Sequence, residues 1–169
     1  MALYQIFNGP SPTTAAQVVV TTGTAIKTLL QVQPSATLGG RVVEWGISFD
    51  GSAAATPIKC ELIETDVAAT VTAHVAAGIV KFDFAAISGG DPTTNLIQVG
   101  TAATGYTATA EGSITVSRCF DVQLIAPTNQ YVKQFPLGRE PVIQVSKFCR
   151  IRVTAGAAVN AYAYVTIEV

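Results

Sequence analysis

The sequence predicts an all-β fold, a single-domain jelly-roll-like β-sandwich of about eight strands that spans residues 1–169. Three observations predict it. A chain of 169 residues fits one domain and can bury a sizeable core. Several segments alternate apolar and polar residues, which is the period of a strand. Turn-forming segments rich in glycine, proline and aspartate separate these segments, as in sandwiches and barrels.

An immunoglobulin-like sandwich is the alternative to the jelly roll. Such domains have about 100 residues and place a tryptophan between two cysteines. In this chain Trp45 precedes all three cysteines, and the sequence is longer. The jelly roll therefore fits the sequence better.

Alternation is clearest in "VVEWGISFD" (42–50), "VIQVSKFCRIRVT" (142–154) and "AYAYVTIEV" (161–169). The second segment is predicted to form one long strand, Val142–Thr154, with Gln144, Ser146, Arg150 and Arg152 on its polar face. The apolar faces of the three segments are predicted to point into the core, and they comprise Val43, Trp45, Ile47 and Phe49; Ile143, Val145, Cys149, Ile151 and Val153; and Ala161, Ala163, Val165, Ile167 and Val169.

The remaining chain contains shorter runs of β-branched and aromatic residues. The segment 66–88 is ambiguous, because its alanines allow one or two helical turns whereas its β-branched residues and Gly78 favour strand or irregular structure. Strands are predicted at Leu3–Phe7, Gln17–Thr22, Ala25–Val32, Ile58–Thr65, Asn95–Val99, Ser113–Leu124 and Tyr131–Gln134.

The stretch "QYVKQFPLGREPVIQV" (130–145) combines a strand end with a proline-rich loop. Pro136 and Pro141 lack a backbone N–H, so no central strand continues through them, and Gly138 supplies the turn. The loop is predicted to end one strand at Gln134 and to start the next at Val142. Its ends are expected to be anchored by Tyr131 and Phe135.

The candidate contact residues lie in this loop and in the strand that follows it. Arg139 and Glu140 are left at the loop tip, and Arg150 and Arg152 form an outward row, with Tyr131 nearby. Arginine suits a subunit or capsid contact because its planar fork binds carboxylates through two hydrogen bonds. The alternative is that the basic residues of this region bind along a nucleic-acid backbone while an aromatic ring stacks on a base. The basic residues are Arg139, Lys147, Arg150 and Arg152, and the aromatic residue is Phe148.

The composition favours an assembly component over a free enzyme. Charged residues make up only 12% of the chain, about half the usual share, and the net charge is -1. The balance gives no attraction to nucleic acid or to anionic lipid. No apolar run reaches the length of a membrane span, and the first residues lack the features of a secretory signal. Synthesis in the cytosol is therefore expected.

The residue types that carry catalysis or metal binding are few. Cys60, Cys119 and Cys149 are widely spaced and are expected to be buried free thiols, a disulfide being the alternative. His74 is the single histidine, and its bland flanks indicate a surface or subunit contact rather than a catalytic base. No cofactor or metal is expected.

The densest acidic group is Glu61, Glu64 and Asp66 in "CELIETD". We expect these side chains to lie on a solvated strand edge, where acids deter aggregation. Two alternatives are a pair of glycosidase carboxylates and calcium near Asp66 or Asp91. No D-x-D-x-D-G loop supports calcium.

The C-terminal part resembles a known class of proteins. "GYTATAEGSITVSR" and "APTNQYVKQFPLGREPVIQVSKFCRIRVTAGAAVNAYAYVTIEV", within 105–169, with weaker support in "GRVVEWGISFDG", resemble small virion proteins of tailed bacteriophages and related prophages, of the head-decoration or cement type. The resemblance implies a β-sandwich that oligomerises, often as a trimer, and clamps neighbouring major capsid subunits. It implies no enzyme activity and no cofactor, nucleic-acid or membrane partner.

The location implied by this resemblance is the head surface of a virion, after synthesis in the bacterial cytoplasm. Two other classes stay open. One is a tail or baseplate adsorption module that binds host-surface glycans through Tyr106, Tyr131, Tyr162 or Tyr164. The other is a polysaccharide hydrolase, which needs two carboxylates about 5–10 Å apart in a cleft.

Overall fold

The computed structural model describes residues 2–51, 56–82 and 96–169. These residues form strands, with a turn of 3-10 helix at Ala76–Gly78. The strands are β1 (Leu3–Phe7), β2 (Val20–Thr21), β3 (Ile26–Pro34), β4 (Gly40–Phe49), β5 (Ile58–Thr65), β6 (Thr70–Ala73), β7 (Ile79–Lys81), β8 (Ile97–Gln98), β9 (Gly105–Ala110), β10 (Ser117–Ile125), β11 (Gln130–Gln134), β12 (Val142–Ile143), β13 (Phe148–Thr154) and β14 (Asn160–Glu168).

The strands form two antiparallel sheets, which confirms the predicted all-β sandwich. Sheet A has the order β11-β4-β14-β1-β7, with β12 beside β4 and β2 beside β14. Sheet B has the order β10-β5-β13-β3-β9-β6, with β8 beside β3. None of the described residues belongs to a helix long and apolar enough to cross a membrane.

The core lies between the two sheets and is built by the alternation seen in the sequence. On β14, Ala161, Ala163, Val165 and Ile167 are buried as predicted. Trp45 and Ile47 of β4 face the same core, as do the buried residues Ile58, Cys60 and Leu62 of β5 and Cys149, Ile151 and Val153 of β13. Burying these side chains away from water is the main stabilisation of the sandwich.

A β-bulge changes one predicted inward residue on β4. The register with β14 pairs Glu44 with Thr166 and then Val42 with Ile167, so Val43 is the extra residue. Beyond the bulge the alternation shifts by one position. Val42 is therefore fully buried, whereas Val43, predicted to point inward, is only half-buried.

The predicted long strand Val142–Thr154 is wrong, because the chain changes sheets inside it. Val142 and Ile143 pair with β4 in sheet A, whereas β13 belongs to sheet B. A turn joins them, with a hydrogen bond from the Lys147 N–H to the Gln144 carbonyl of 3.1 Å and a positive φ of 61° at Ser146. Val145, predicted to be inward, is exposed on this turn.

As far as residue 82, the ambiguous segment 66–88 contributes β6, one 3-10 turn and β7, in agreement with the expectation of one or two helical turns at most. Asp91, with the "SGGDPTT" turn around it, lies outside the described residues, and so does the start of the predicted strand Asn95–Val99.

Candidate contact surface and the charged groups around it

The proline loop ends β11 at Gln134 and is followed by β12 at Val142, as predicted. The Arg139 N–H donates to the Pro136 carbonyl at 2.9 Å, and Gly138 has a positive φ of 77°. Arg139 is exposed at the tip, next to Leu137, which is 92% exposed. This loop tip therefore presents an apolar and a cationic side chain to solvent.

Glu140 does not share this exposure, so the prediction that it lies free at the tip is wrong. Its side chain is only 7% exposed and lies 3.9 Å from the Arg41 guanidinium. Its carboxylate also accepts a hydrogen bond of 3.0 Å from the Gly138 N–H. Glu140 thus helps to hold the turn closed.

Arg150, predicted to be an outward contact, is fully buried. Its guanidinium donates to the Glu111 carbonyl at 3.0 Å, to the Glu111 carboxylate at 3.3 Å and to the Val67 carbonyl. Burial lowers the pKa of Arg150 to about 10 against the opposing effect of Glu111. The alternation placed Arg150 on the outer face of sheet B correctly, but two other segments of the chain cover that face.

The Glu111 carboxylate ties this cover to the sheet. It accepts hydrogen bonds from the Thr28 N–H at 2.6 Å and from the Thr28 hydroxyl at 2.7 Å. Gln31 holds the same cover, because its side chain donates to the Ala103 carbonyl at 2.5 Å and accepts from the Ala69 N–H at 2.8 Å. The buried side chains of Thr28 and Gln31 are thus hydrogen-bonded to specific partners.

Arg152 also acts within the sheet. Its Nε donates to Glu61 Oε2 at 2.8 Å, and Lys59 Nζ lies 2.9 Å from Glu61 Oε1. Burial opposes ionisation of Glu61, but the hydrogen bonds from Lys59 and Arg152 outweigh it and lower the pKa of this carboxyl. Arg152 is directly opposite Glu61 in the register, so the pair is a cross-strand ion pair.

Glu64 stabilises the region around Gln144, where the chain passes from sheet A to sheet B. The Arg118 guanidinium donates to both of its oxygens at 2.7 Å, and the Gln144 N–H donates to it at 2.7 Å. Arg118 also donates to the Val142 carbonyl at 2.6 Å. The geometry is the bidentate arrangement that arginine makes with carboxylates.

The expected solvated acidic edge is therefore wrong. β5 lies between β10 and β13, and both Glu61 and Glu64 are buried. They are three positions apart on a strand and point to opposite faces, so they do not form a two-carboxylate site. Asp66 is half-buried and accepts hydrogen bonds from the Thr115 and Val116 N–H groups and the Thr115 hydroxyl, which together lower its pKa to about 2.

His74 is buried, which corrects the expected surface position. Its Nε2–H donates to the Phe7 carbonyl at 2.7 Å, and its ring meets Tyr106 edge-on at 4.9 Å. Burial lowers the pKa of His74, although the hydrogen bond to Phe7 opposes this. The side chain thus connects sheet A to β9 of sheet B.

The three cysteines are free thiols, as expected. Cys60 and Cys149 are buried, and burial raises the pKa of Cys60 to about 12. Cys119 is exposed on β10, contrary to the expectation of burial. Within the described ranges, no three His, Cys, Asp or Glu side chains come together in a way that could hold a metal ion.

β10 and β11 are edge strands of sheets B and A, joined by the turn at 126–129, and the Asp121 side chain connects them. Its carboxylate accepts hydrogen bonds from the Trp45 indole at 3.2 Å, the Tyr131 hydroxyl at 2.9 Å and the Gln123 amide at 3.0 Å, with Lys133 at 3.3 Å. Burial opposes ionisation, but these partners outweigh it and lower the pKa of Asp121. We call this side of the molecule, formed by β10, β11 and residues 135–141, the seam.

The Tyr131 side chain points from the seam into the protein. Its ring packs on Trp45 with centroids 5.4 Å apart, which confirms its predicted anchoring role. Burial, together with the Asp121 carboxylate, raises the pKa of Tyr131 to about 12. The hydroxyl is engaged by Asp121 inside the protein.

Strand β10 reverses the usual pattern of a sandwich strand, in which apolar side chains face the core and polar side chains face the solvent. Its polar residues Asp121 and Gln123 point inward, whereas Val122 and Leu124 point outward and are 50% and 74% exposed. A bulge at Phe120 determines which side chains of β10 point inward. Cys119 pairs with Ile63 and Asp121 pairs with the next residue, Leu62, so Phe120 has no partner in the register. Val132 and Leu137 are also exposed apolar residues of the seam, and the exposed Val142 follows it in β12.

Sequence reasoning missed the Asp121 bridge and the exposed apolar row. The signal was present as an aspartate inside the apolar alternation of "CFDVQLI". Alternation alone places the apolar set inward, so the inversion required knowledge of the bulge and of Trp45 across the core.

The candidate glycan tyrosines are divided between two environments. Tyr106 packs on His74 and Tyr131 on Trp45. Tyr164 lies on the outer face of sheet A, 5.7 Å from the Phe7 ring, and its hydroxyl donates to Glu44 at 2.6 Å. Tyr162 borders a cavity of about 380 Å³, together with Val19, Ser48, Phe49, Asp50 and Asn160.

No protein-family model, no curated protein and no solved structure matches this chain.

Proposed function

We propose that this jelly-roll-like sandwich is a non-enzymatic virion structural protein, a capsid decoration or cement protein. It binds the outside of a tailed-phage head and stabilises contacts between major capsid subunits. The observation that carries the proposal is the outward-facing apolar row of the edge strand β10. Contiguous exposed apolar side chains mark protein–protein contact sites.

The charged residues support the same conclusion. Arg150, Arg152, Glu61 and Glu64 stabilise the sandwich through internal ion pairs. What is left for a partner is the exposed edge of β10 with its apolar residues. An uncovered edge strand can pair with other chains and cause aggregation. A partner bound along this edge would cover it.

The proposal includes self-association as a homo-oligomer, with a trimer as the expected state. Arg139 is the predicted contact residue that stays exposed, and it stands beside the exposed Leu137. Symmetric copies would multiply weak contacts with the shell, because each bound copy raises the effective concentration of the next.

The test uses particles of the phage or induced prophage that encodes the chain. Purified heads and tails are separated, the chain is quantified in each by mass spectrometry, and whole particles are imaged by cryo-electron microscopy. We expect regular density for the sandwich on the head surface. Absence from heads, or presence on tails alone, would overturn the proposal.

A tail or baseplate adsorption module that binds glycans is the second candidate, supported by the cavity beside Tyr162. The Asp50 carboxylate holds the Asn160 backbone and side chain at 3.2 and 3.1 Å, so polar groups are fixed next to an exposed ring. A glycan array probed with wild type and Tyr162→Ala tests it. Binding that is lost in the variant supports this candidate, and an array without binding rejects it.

A further inference from the structure

Four ion pairs along and beside the seam are exposed unequally. They are Lys59–Glu61, Arg118–Glu64, Lys133–Asp121 and Arg41–Glu140. In each pair the cationic side chain is 36–49% exposed, whereas the carboxylate is only 5–12% exposed. Each pair is neutral in total, but its positive end faces the solvent.

This arrangement makes the local surface basic although the whole chain carries a net charge of -1. The exposed Arg139 adds a further cation at the loop tip. Two half-buried carboxylates, Glu44 and Glu168, lie on the outer face of sheet A near β11 and Arg41. The positive character is therefore greatest along β10, where Lys59 lies opposite Leu124 on the face of the exposed apolar residues and Arg118 binds Glu64 on the other face.

The backbone of β10 is suited to one more strand. Among the described strands β10 pairs only with β5, so its other side is an edge. The half before Asp121 is interrupted by the bulge, whereas Asp121–Ile125 is in regular register with Leu62–Ile58. An added strand would pair with this regular half and lay alternate side chains beside Val122 and Leu124.

We propose that the seam binds an extended acidic segment of a partner protein, which adds to sheet B as a strand beside β10. This inference rests on the proposed function, in which the partner is the capsid shell. Charge complementarity selects the acidic segment: its carboxylates would approach the exposed ends of Lys59, Arg118 and Lys133.

The same charges disfavour a second copy of this chain, because pairing β10 with β10 would bring cations against cations. Nucleic acid fits less well than polypeptide. The partly buried rings of Phe120 and Phe135 are already covered by Arg118 at 5.1 Å and Lys133 at 5.2 Å, so they are not free to stack on bases. The exposed side chains of the regular half of β10, Val122 and Leu124, are aliphatic, which suits a strand.

The test is a charge swap at Leu124, which is exposed and makes no polar contact through its side chain. Leu124→Lys and Leu124→Glu remove the same apolar group and differ only in the charge introduced. Three probes are titrated into the isotope-labelled protein and followed by NMR. They are a peptide as long as β10 that repeats Val-Val-Glu-Glu, so that glutamates lie on both faces of the added strand, the same peptide with lysine for glutamate, and oligothymidylate.

We expect the glutamate peptide to shift the amide signals of β10 in the wild type, and to bind Leu124→Glu about tenfold more weakly than Leu124→Lys. The lysine peptide should not bind. The matched swap Val80→Lys and Val80→Glu, at an exposed position on the opposite edge strand β7, should leave the affinity unchanged. Equal binding by both Leu124 variants, equal binding of the two peptides, or binding of oligothymidylate at β10 would each overturn the inference.

The two proposals fail separately. If the wild type decorates heads but Leu124→Glu and Leu124→Lys attach equally well, the acidic-strand inference fails and the decoration proposal stands. If the glutamate peptide binds as expected but heads carry no copies, the decoration proposal fails and the acidic-strand surface stands.

Discussion

At the scale of single residues, the buried charges of sheet B hold strands to each other and to the segments that cover them. Arg150 illustrates this role, because its guanidinium joins β13 to Glu111 and to the Val67 carbonyl. A buried cation of this kind is costly to desolvate and is retained only with good partners. Removing it leaves the partners unsatisfied.

We expect Arg150→Ala to lower the free energy of unfolding by about 3 kcal/mol, since it breaks a buried ion pair. Urea denaturation measures the change. The control is Arg139→Ala at the exposed loop tip, which should change stability by less than about 0.5 kcal/mol. Equal stability of the two variants would contradict the structural role of Arg150.

His74 gives the protein a pH dependence of stability near neutrality. Burial holds its pKa below the ordinary value of about 6.5, so between the two pKa values the unfolded chain binds more protons than the folded one. The free energy of unfolding should therefore fall as the pH decreases through the unfolded-state pKa of about 6.5. The loss is complete only below the folded-state pKa.

Because His74 is the single histidine, His74→Gln should remove most of this slope. Denaturation curves at a series of pH values measure it. The carboxyl groups of Asp121 and Glu61, whose pKa values are lowered, lose stabilisation only at more acidic pH. A wild-type slope that persists in His74→Gln would show that another group is responsible.

At the scale of elements, bulges decide which face of a strand meets the core. The extra residue Val43 turns Val42 inward on β4, and the extra residue Phe120 turns Asp121 inward on β10. A bulge moves every later side chain to the other face relative to the partner strand. The exposed apolar row of the seam follows from this local change.

Gly105 marks a second constraint on the elements, where β9 lies between β3 and β6. A Cβ there would overlap the Thr72 carbonyl oxygen and the Val71 side chain. We expect Gly105→Ala to destabilise the protein by about 2 kcal/mol, because the backbone of β6 must move away. Thermal denaturation compares it with Gly156→Ala, whose Cβ would meet only the Thr56 hydroxyl, at 3.1 Å.

The Gly156 variant should stay within about 0.5 kcal/mol of wild type. If Gly105→Ala were as stable as Gly156→Ala, the close approach of β9 and β6 would not constrain the fold.

At the scale of the whole molecule, the sandwich closes its core internally and leaves one side with two edge strands and exposed apolar residues. If the chain assembles as proposed, its solution mass should be three times 17.5 kDa. Light scattering after size-exclusion chromatography measures it. Arg139→Ala should shift the mass towards the single chain while the circular dichroism spectrum stays unchanged.

A single-chain mass for wild type at high concentration would contradict self-association in solution. A loss of strand signal in Arg139→Ala would show instead that the loop tip is structural.

The sequence by itself determined the all-β class, most strand positions and the inward face of β14, since these depend on period-two alternation and on turn residues that are local in the chain. Pro136 and Pro141 likewise predicted the loop between β11 and β12. These features require no knowledge of distant residues.

Only the tertiary structure decided the burial of Arg150 and His74, the sheet change at 144–147 and the inversion of β10. Each depends on residues far apart in sequence. Glu111 and Val67 cover Arg150, and the Phe7 carbonyl accepts a hydrogen bond from His74. Trp45 and Tyr131 donate hydrogen bonds to the inward-pointing Asp121. Alternation distinguishes the two faces of a strand, but whether an outer face is covered depends on where the rest of the chain packs.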